Sequence, residues 1–246
     1  MTYTSRGFEV DPHIHTAVSG HSWSTLGEYA AQAAEIGLKG FCITEHGCMT
    51  PGGPPEWITH TQRMLPKYYR DIRIYKGLEA NIAGADGGLD IRDKYLENLE
   101  FCIASIHSFA FKSGSIEENT SACIHALENK FVDMIGHPDN TGAPCNIEEL
   151  VLTAKRMDKP MELNNSSLTA HRKNCADNVA AIIKLCRKHD VRLCVSSDAH
   201  FHIMIGDFEL ACALLNEMRF PPELVLNYRF ETFAGYIAER VRRLGR

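Results

Sequence analysis

The stretch "TLGEYAAQAAEIGLKGFCITEHG", Thr25–Gly47, decides the fold. Thr25 and Glu28 have the spacing of a capping box, "LGEYAAQAAEI" carries an apolar stripe of helical period, and Gly37 supplies the stop. "GFCIT", Gly40–Thr44, is then a short apolar and β-branched run, and the chain turns polar at Glu45 and His46. The unit is a helix, a tight stop, a buried strand, and reactive side chains where the strand ends.

Similar units recur outward from it. Strand-like runs are "FEV" (8–10), "IRIYKG" (72–77), "FCIASI" (101–106), "FVDMIG" (131–136), "MELNN" (161–165) and "VRLCVSS" (191–197), which with "GFCIT" predict seven strands. Between them lie helical patterns: "IEENTSACIHALEN", "NIEELVLTAKRM", "NCADNVAAIIKLCRKH", "FELACALLNEM" and a closing "RFETFAGYIAERVRRLGR". Such alternation is the mark of repeated βα units around a parallel sheet. The Gly- and Pro-rich segment "GCMTPGGPPEWITHTQRMLPK" (47–67) reads as a long loop, and "FPPELVLN" as a short strand or turn. No linker or repeat splits the chain, so 1–246 is expected to be a single domain.

The 246 residues, 44% hydrophobic and 23% charged, suffice for a full core. A net charge of −5 without blocks of like sign argues against non-specific binding to nucleic acid or anionic membranes, leaving a small molecule as the expected partner. No apolar run reaches the ~18 residues of a membrane span, and no apolar leader opens the chain. The nine scattered cysteines include no C-x-x-C pair and are expected to be reduced thiols, which suits a cytoplasmic location.

In parallel α/β folds the reactive groups gather on loops leaving the carboxyl ends of the strands. His13, His15 and His21 follow the first predicted strand, His46 the second, Glu79 the third, His107 the fourth, His137 the fifth, and Asp198 and His200 the seventh. A lone histidine near a strand end is more often a hydrogen-bonded structural residue than a ligand. Nine such side chains at one end are another matter, because imidazoles and carboxylates without evident cationic partners are costly to assemble unless a cation is present. Imidazole with carboxylate and no thiolate suits zinc, manganese or iron. Nine ligands exceed the need of one ion, so two or three are implied, and clustered divalent ions are suited to phosphoester hydrolysis.

"HIHTAVSGHS", "ITEHG", "GLEANI", "SIHS", "IGHPDN", "ELNNSS" and "SSDAH", in this order and spacing, closely resemble the PHP (polymerase and histidinol phosphatase) family, in particular its small YcdX-like phosphatase branch. The resemblance runs from about Phe8 to the closing helix. It implies a distorted TIM-like (βα)7 barrel of the α/β class with a centre of three divalent metal ions, usually zinc and in relatives also manganese or iron. It implies that His13, His15, Glu79 and Asp198 hold one ion; that Glu79, bridging, with His107 and His137 holds a second; and that His21, His46 and His200 hold the third. The implied reaction is attack of a metal-bridging hydroxide on a small phosphomonoester, with Glu79, Asp198 and His200 as the catalytic residues. Relatives also make a homo-oligomer an expectation. Two positions depart from the family: Pro12 stands where an apolar residue is usual, and Glu45 where Asp is usual. Glu45 is expected to orient a ligand from behind.

Arg172, with Lys173, follows the strand that supplies no ligand and is expected to bind substrate phosphate through its guanidinium fork. Asn165 is expected to line the mouth beside it. Trp57, His60 and Arg63 lie in the long loop, where a closing lid is weighed against an ordinary surface excursion. His125, His171, His189 and His202 are not expected to be ligands. The rival functions are a phosphodiesterase or nuclease of the same family, a histidinol-phosphate phosphatase, and a non-catalytic metal-binding module.

Overall fold

The computed structural model describes residues 2–170 and 172–246; His171 lies outside them. Helix α1 (Leu26–Ile36) spans the expected residues. The Thr25 hydroxyl accepts from Glu28 N, the Glu28 carboxylate accepts from Thr25 N at 2.7 Å, and Gly37 at φ +87° ends the helix. The chain then enters β2 (Gly40–Ile43).

Around this unit run β1 (Val10–Ile14), β4 (Ile72–Asn81), β5 (Phe101–Ser105), β6 (Met134–Ile135), β7 (Met161–Asn164) and β8 (Leu193–Ser196). Pairing is parallel throughout the path β1-β2-β4-β5-β6 and in the pair β7-β8. The two groups meet where Asp198 N donates to His13 O and His15 N to Ala199 O, both at 2.9 Å. At the opposite seam a side chain spans the gap: the Glu162 carboxylate on β7 accepts from His137 N beyond β6. The curled sheet, with helices outside it, is a distorted TIM-like barrel.

Several boundaries differ from the sequence expectation. β1 starts and ends later than "FEV", so His13 lies within it, and Pro12 falls in an irregularity of the β1–β2 pairing between Asp11 and Ile14, where its missing N–H is tolerated. β4 continues past Gly77, still paired with β5 through Asn81, so Glu79 is inside the strand rather than after it. Apolarity marked only the part of the strand that faces the core; its polar end faces the mouth. A short β3 (Tyr68–Tyr69) pairs antiparallel with β4 and was not expected. The long loop contains α2 (Glu56–Thr61), and "FPPELVLN" forms a 3-10 turn at Pro222–Leu224.

The remaining helices are α3 (Asp93–Leu96), α4 (Ile116–Glu128), α5 (Ile147–Met157), α6 (Ala176–His189), α7 (Glu209–Glu217) and α8 (Phe230–Arg243). α8 plugs the amino end of the barrel: Phe233, Tyr236 and Ile237 pack against Val10, Cys42, Phe101, Ile103, Met134 and Cys194. Arg240, on the buried face of α8, donates to Asp133 Oδ2 at 2.6 Å and to the carbonyls of Leu99 and Phe131 at 2.7 Å. The plug leaves the carboxyl end as the open mouth. No helix among the described residues is long and apolar enough to cross a membrane.

Candidate metal centre

The mouth brings the nine expected side chains together. Glu79 stands at the middle, with His46 Nδ1 at 2.7 Å, His137 Nε2 at 3.1 Å, His15 Nε2 at 3.5 Å, and His13 Nε2 and His107 Nε2 at 3.6 Å from its oxygens. Asp198 Oδ1 lies 3.2 Å from His15 Nε2 and 3.6 Å from His13 Nε2. His21 Nε2 and His200 Nε2 face each other at 3.1 Å. Three overlapping groups offer donor atoms within 4.8 Å of one another: His13, His15 and Glu79; His46, Glu79 and His107; His15, His46 and His200. These groups overlap the three sets the resemblance implied without coinciding with them: His46 faces both Glu79 and the His200 side, and Asp198, His137 and His21 stand at their edges.

The nitrogens away from the mouth explain the orientation. His13 Nδ1 is 2.7 Å from Glu162 Oε1, His107 Nδ1 is 2.7 Å from Asn81 Oδ1, and His200 Nδ1 is 2.9 Å from the carbonyl of Asp198. Each outer partner accepts, so in the neutral ring the proton sits on Nδ1 and the Nε2 lone pair points inward. His15 Nδ1 faces Ser19 Oγ at 3.4 Å; that hydroxyl donates to Glu45 and accepts from His46 N at 3.0 Å. Glu45, which also accepts from Thr16, therefore acts on His15 and His46 through Ser19. The Ser19 turn ends at Gly20, whose φ of +80° and approach to the Gly52 carbonyl leave no room for a Cβ.

The donor set fits divalent cations. Glu79 Oε2 and His46 Nδ1 are buried, 2.7 Å apart, and neither makes a hydrogen bond. His13 Nε2 and His15 Nε2 face each other at 3.1 Å, a spacing that needs a positive charge between them, and although burial opposes it Asp198, Glu162 and Glu79 hold His13 well above the usual histidine range, so the pocket favours a cation at that point. Burial pushes the His107 imidazole down to about 3, with His137 and His46 adding to the push and Glu79 opposing it. Burial, His46 and His200 hold His15 well below the usual histidine range. For Asp198, burial pushes the carboxyl up, but His13, Arg172 and His15 outweigh it and keep it ionised. His137 and Asp198 both sit at positive φ, +32° and +55°, a backbone cost concentrated at the site.

Of the expected substrate residues, Arg172 is at the mouth: it donates to Asp198 Oδ2 at 2.8 Å and borders a cavity of about 350 Å³ with Ser166, Asp198, His200 and Met204. Asn165 is not. It is 3% exposed and its Oδ1 accepts from Ala211 N at 2.9 Å, so it tethers α7. His60 packs against Tyr95 on α3 and Trp57 is exposed on α2. His202 is held by Ser24. Two residues escaped the sequence reading. Asn81 orients His107, and its amide also donates to Asp90 Oδ2 at 2.6 Å. Glu162, wholly buried, accepts from His13, Ser196 Oγ at 2.7 Å and His137 N. An acid inside the buried run "MELNN" was the available signal, since such a group demands partners.

An α/β barrel whose carboxyl mouth gathers imidazoles and carboxylates around a central glutamate defines a class of divalent-metal-binding barrel proteins. Residues 11–151, more than half of the chain, match the family described as the PHP domain, and the chain belongs to that family. A probable phosphatase of Acetivibrio thermocellus is 39% identical over 239 residues, covering 97% of this chain and 99% of its own. Among solved structures, histidinol phosphate phosphatase from Lactococcus lactis subsp. lactis Il1403, complexed with zinc, L-histidinol and phosphate, aligns at a TM-score of 0.59 with 14% identity, over 88% of this chain and 93% of that one. A chain in the cryo-EM structure of archaeal Ribonuclease P with mature tRNA aligns at 0.61 with 18% identity, over 94% and 90%. These last two likenesses concern the fold alone.

Proposed function

We propose that this protein is a metal-dependent phosphatase that hydrolyses a small phosphomonoester at a centre of three divalent ions, zinc being the best match to the donors. The observation that carries the reading is the buried, unpartnered face of Glu79 Oε2 against His46 Nδ1, within a ring of inward-facing Nε2 lone pairs. The phosphatase name of relatives such as that of Acetivibrio thermocellus supports the reaction class. His13, His15, His21, His46, Glu79, His107, His137, Asp198 and His200 would hold the ions, with Glu79 shared between groups. When bound, such ions supply an activated water at neutral pH and offset the charge that builds on the phosphoryl oxygens.

The chain's own residues supply the rest. Arg172 borders the cavity with Nη2 on Asp198 and with Nη1 in long contacts to Asn164 Oδ1 at 3.4 Å and Ser167 Oγ at 3.5 Å, which a phosphoryl oxygen would replace. The cavity of about 350 Å³ opens to solvent beside these residues and offers room for a small leaving group. Asp198, ionised and held by Arg172 and Asn164 Nδ2 at 3.2 Å, is fixed against the histidines rather than free to swing. The test is Glu79→Gln, assayed for phosphate release from an aryl phosphomonoester with zinc present. Loss of turnover with the far-UV spectrum kept is expected; unchanged turnover would sink the assignment.

A further inference from the structure

Away from the mouth, two thiols touch. Cys123 lies on the inner face of α4, 2% exposed, and Cys145 is half-buried in the loop that leads from His137 to α5. Their sulfurs are 3.9 Å apart, in van der Waals contact, against about 2.0 Å in a disulfide. We propose that Cys123 and Cys145 are a redox-modification site, closing to a reversible disulfide on exposure to a peroxide.

The pair is polarised. The contact with Cys123 holds the Cys145 thiol below its usual range against the effect of burial, and the contact with Cys145 together with burial pushes Cys123 well up. Cys145, half-buried where Cys123 is 2% exposed, is the sulfur a peroxide reaches first, and Cys123 is the resolving one. The Cys145 thiolate attacks one peroxide oxygen, the O–O bond breaks, and hydroxide leaves to be protonated to water, giving a sulfenic acid. The Cys123 sulfur then attacks the Cys145 sulfur, the S–O bond breaks, and the Cys123 proton departs with the oxygen as a second water. Two thiols are oxidised and one peroxide is reduced. Cys48 offers the contrast: the residue is exposed, yet partial desolvation and Asp90 push its thiol up, and it donates to Asp90 O.

The link has a structural reach. Asn140 N donates to His137 O at 3.0 Å and Ala143 N to Asn140 O at 3.1 Å, so the loop is a chain of turns from His137 almost to Cys145. Cys145 adjoins Asn146, which caps α5. A disulfide would tie α4 to the far end of the loop that begins at His137.

The test treats the full-length protein with near-stoichiometric hydrogen peroxide, alkylates the remaining thiols, and maps the peptides by mass spectrometry. The expected result is the loss of two of the nine free thiols, one linked pair containing Cys123 and Cys145, and its recovery with dithiothreitol. Cys145→Ser removes the link, while Cys123→Ser leaves a Cys145 sulfenic acid captured by dimedone. Oxidation of Cys48 first, a link between another pair, or Cys145 passing to sulfinic acid with Cys123 still free would each overturn the proposal. The wild-type map alone decides the matter if a variant folds poorly.

Discussion

Replacing Glu162 by glutamine changes one atom in the interior and tests how the outer partners set the metal-facing geometry. The two carboxylate oxygens divide four donors: Oε1 takes His13 Nδ1 and Ser196 Oγ, both at 2.7 Å, and Oε2 takes His137 N and Asn164 Nδ2 at 3.3 Å. An amide keeps one acceptor and turns the other position into a donor. With the NH2 at the first position, His13 must move its proton to Nε2 and lose the lone pair that faces His15 and Glu79. At the second, a buried backbone N–H is left facing a donor, at a cost of ~1–3 kcal/mol. Either way the outer support of His13 or His137 fails, and such support is worth about 10- to 100-fold in metal affinity, or ~1.4–2.7 kcal/mol. Metal-free protein titrated with zinc against a chromogenic chelator, beside a far-UV spectrum, reads this directly. Wild-type affinity and turnover in Glu162→Gln would refute the reasoning.

Two further predictions concern the frame. Arg240→Ala removes the ion-pair partner of the buried Asp133 carboxylate, which keeps only Cys102 N, Tyr236 OH and the more distant Lys159, and removes the ties to Leu99 O and Phe131 O, so unfolding by urea should show a loss of ~3–5 kcal/mol; a loss under about 1 kcal/mol would mean that Arg240 does not anchor α8. Lys159, whose Nζ donates to Leu127 O and Asn129 O, is lowered by burial to about 8, with Arg243 and Arg240 adding to the lowering and Asp133 opposing it. The unfolded chain keeps that proton up to its ordinary value near 10.5 and so binds more protons than the folded state between the two. Stability from this group therefore rises with pH across that window, by up to ~3 kcal/mol. The stability of wild type minus that of Lys159→Met, measured from pH 7 to 10.5, should climb accordingly; a flat difference would contradict it.

The longer helices were legible because local signals specify them, as the Thr25 box and Gly37 bound α1 without reference to the rest of the chain, whereas the short α2 and α3 carry no such signals and were not expected. The mouth was legible because its residues share one position in every unit. What failed depends on register. Glu79 and His13 lie inside strands, since β4 and β1 run on into the mouth where apolarity no longer marks them. Glu162 and Asn81 were missed because an outer partner is defined by which histidine faces it across the barrel, and no local pattern encodes that. Asn165 was misplaced for the related reason that one residue of phase separates the mouth from the α7 side: Asn164 reaches Asp198 and Asn165 reaches Ala211.

The most direct test of the account is phosphate release from an aryl phosphomonoester and from its diester counterpart by metal-stripped protein reloaded separately with zinc and with manganese. Without metal no turnover is expected; reloading should restore hydrolysis of the monoester and bring little of the diester. Turnover that ignores the metal, or a preference for the diester, would contradict that expectation.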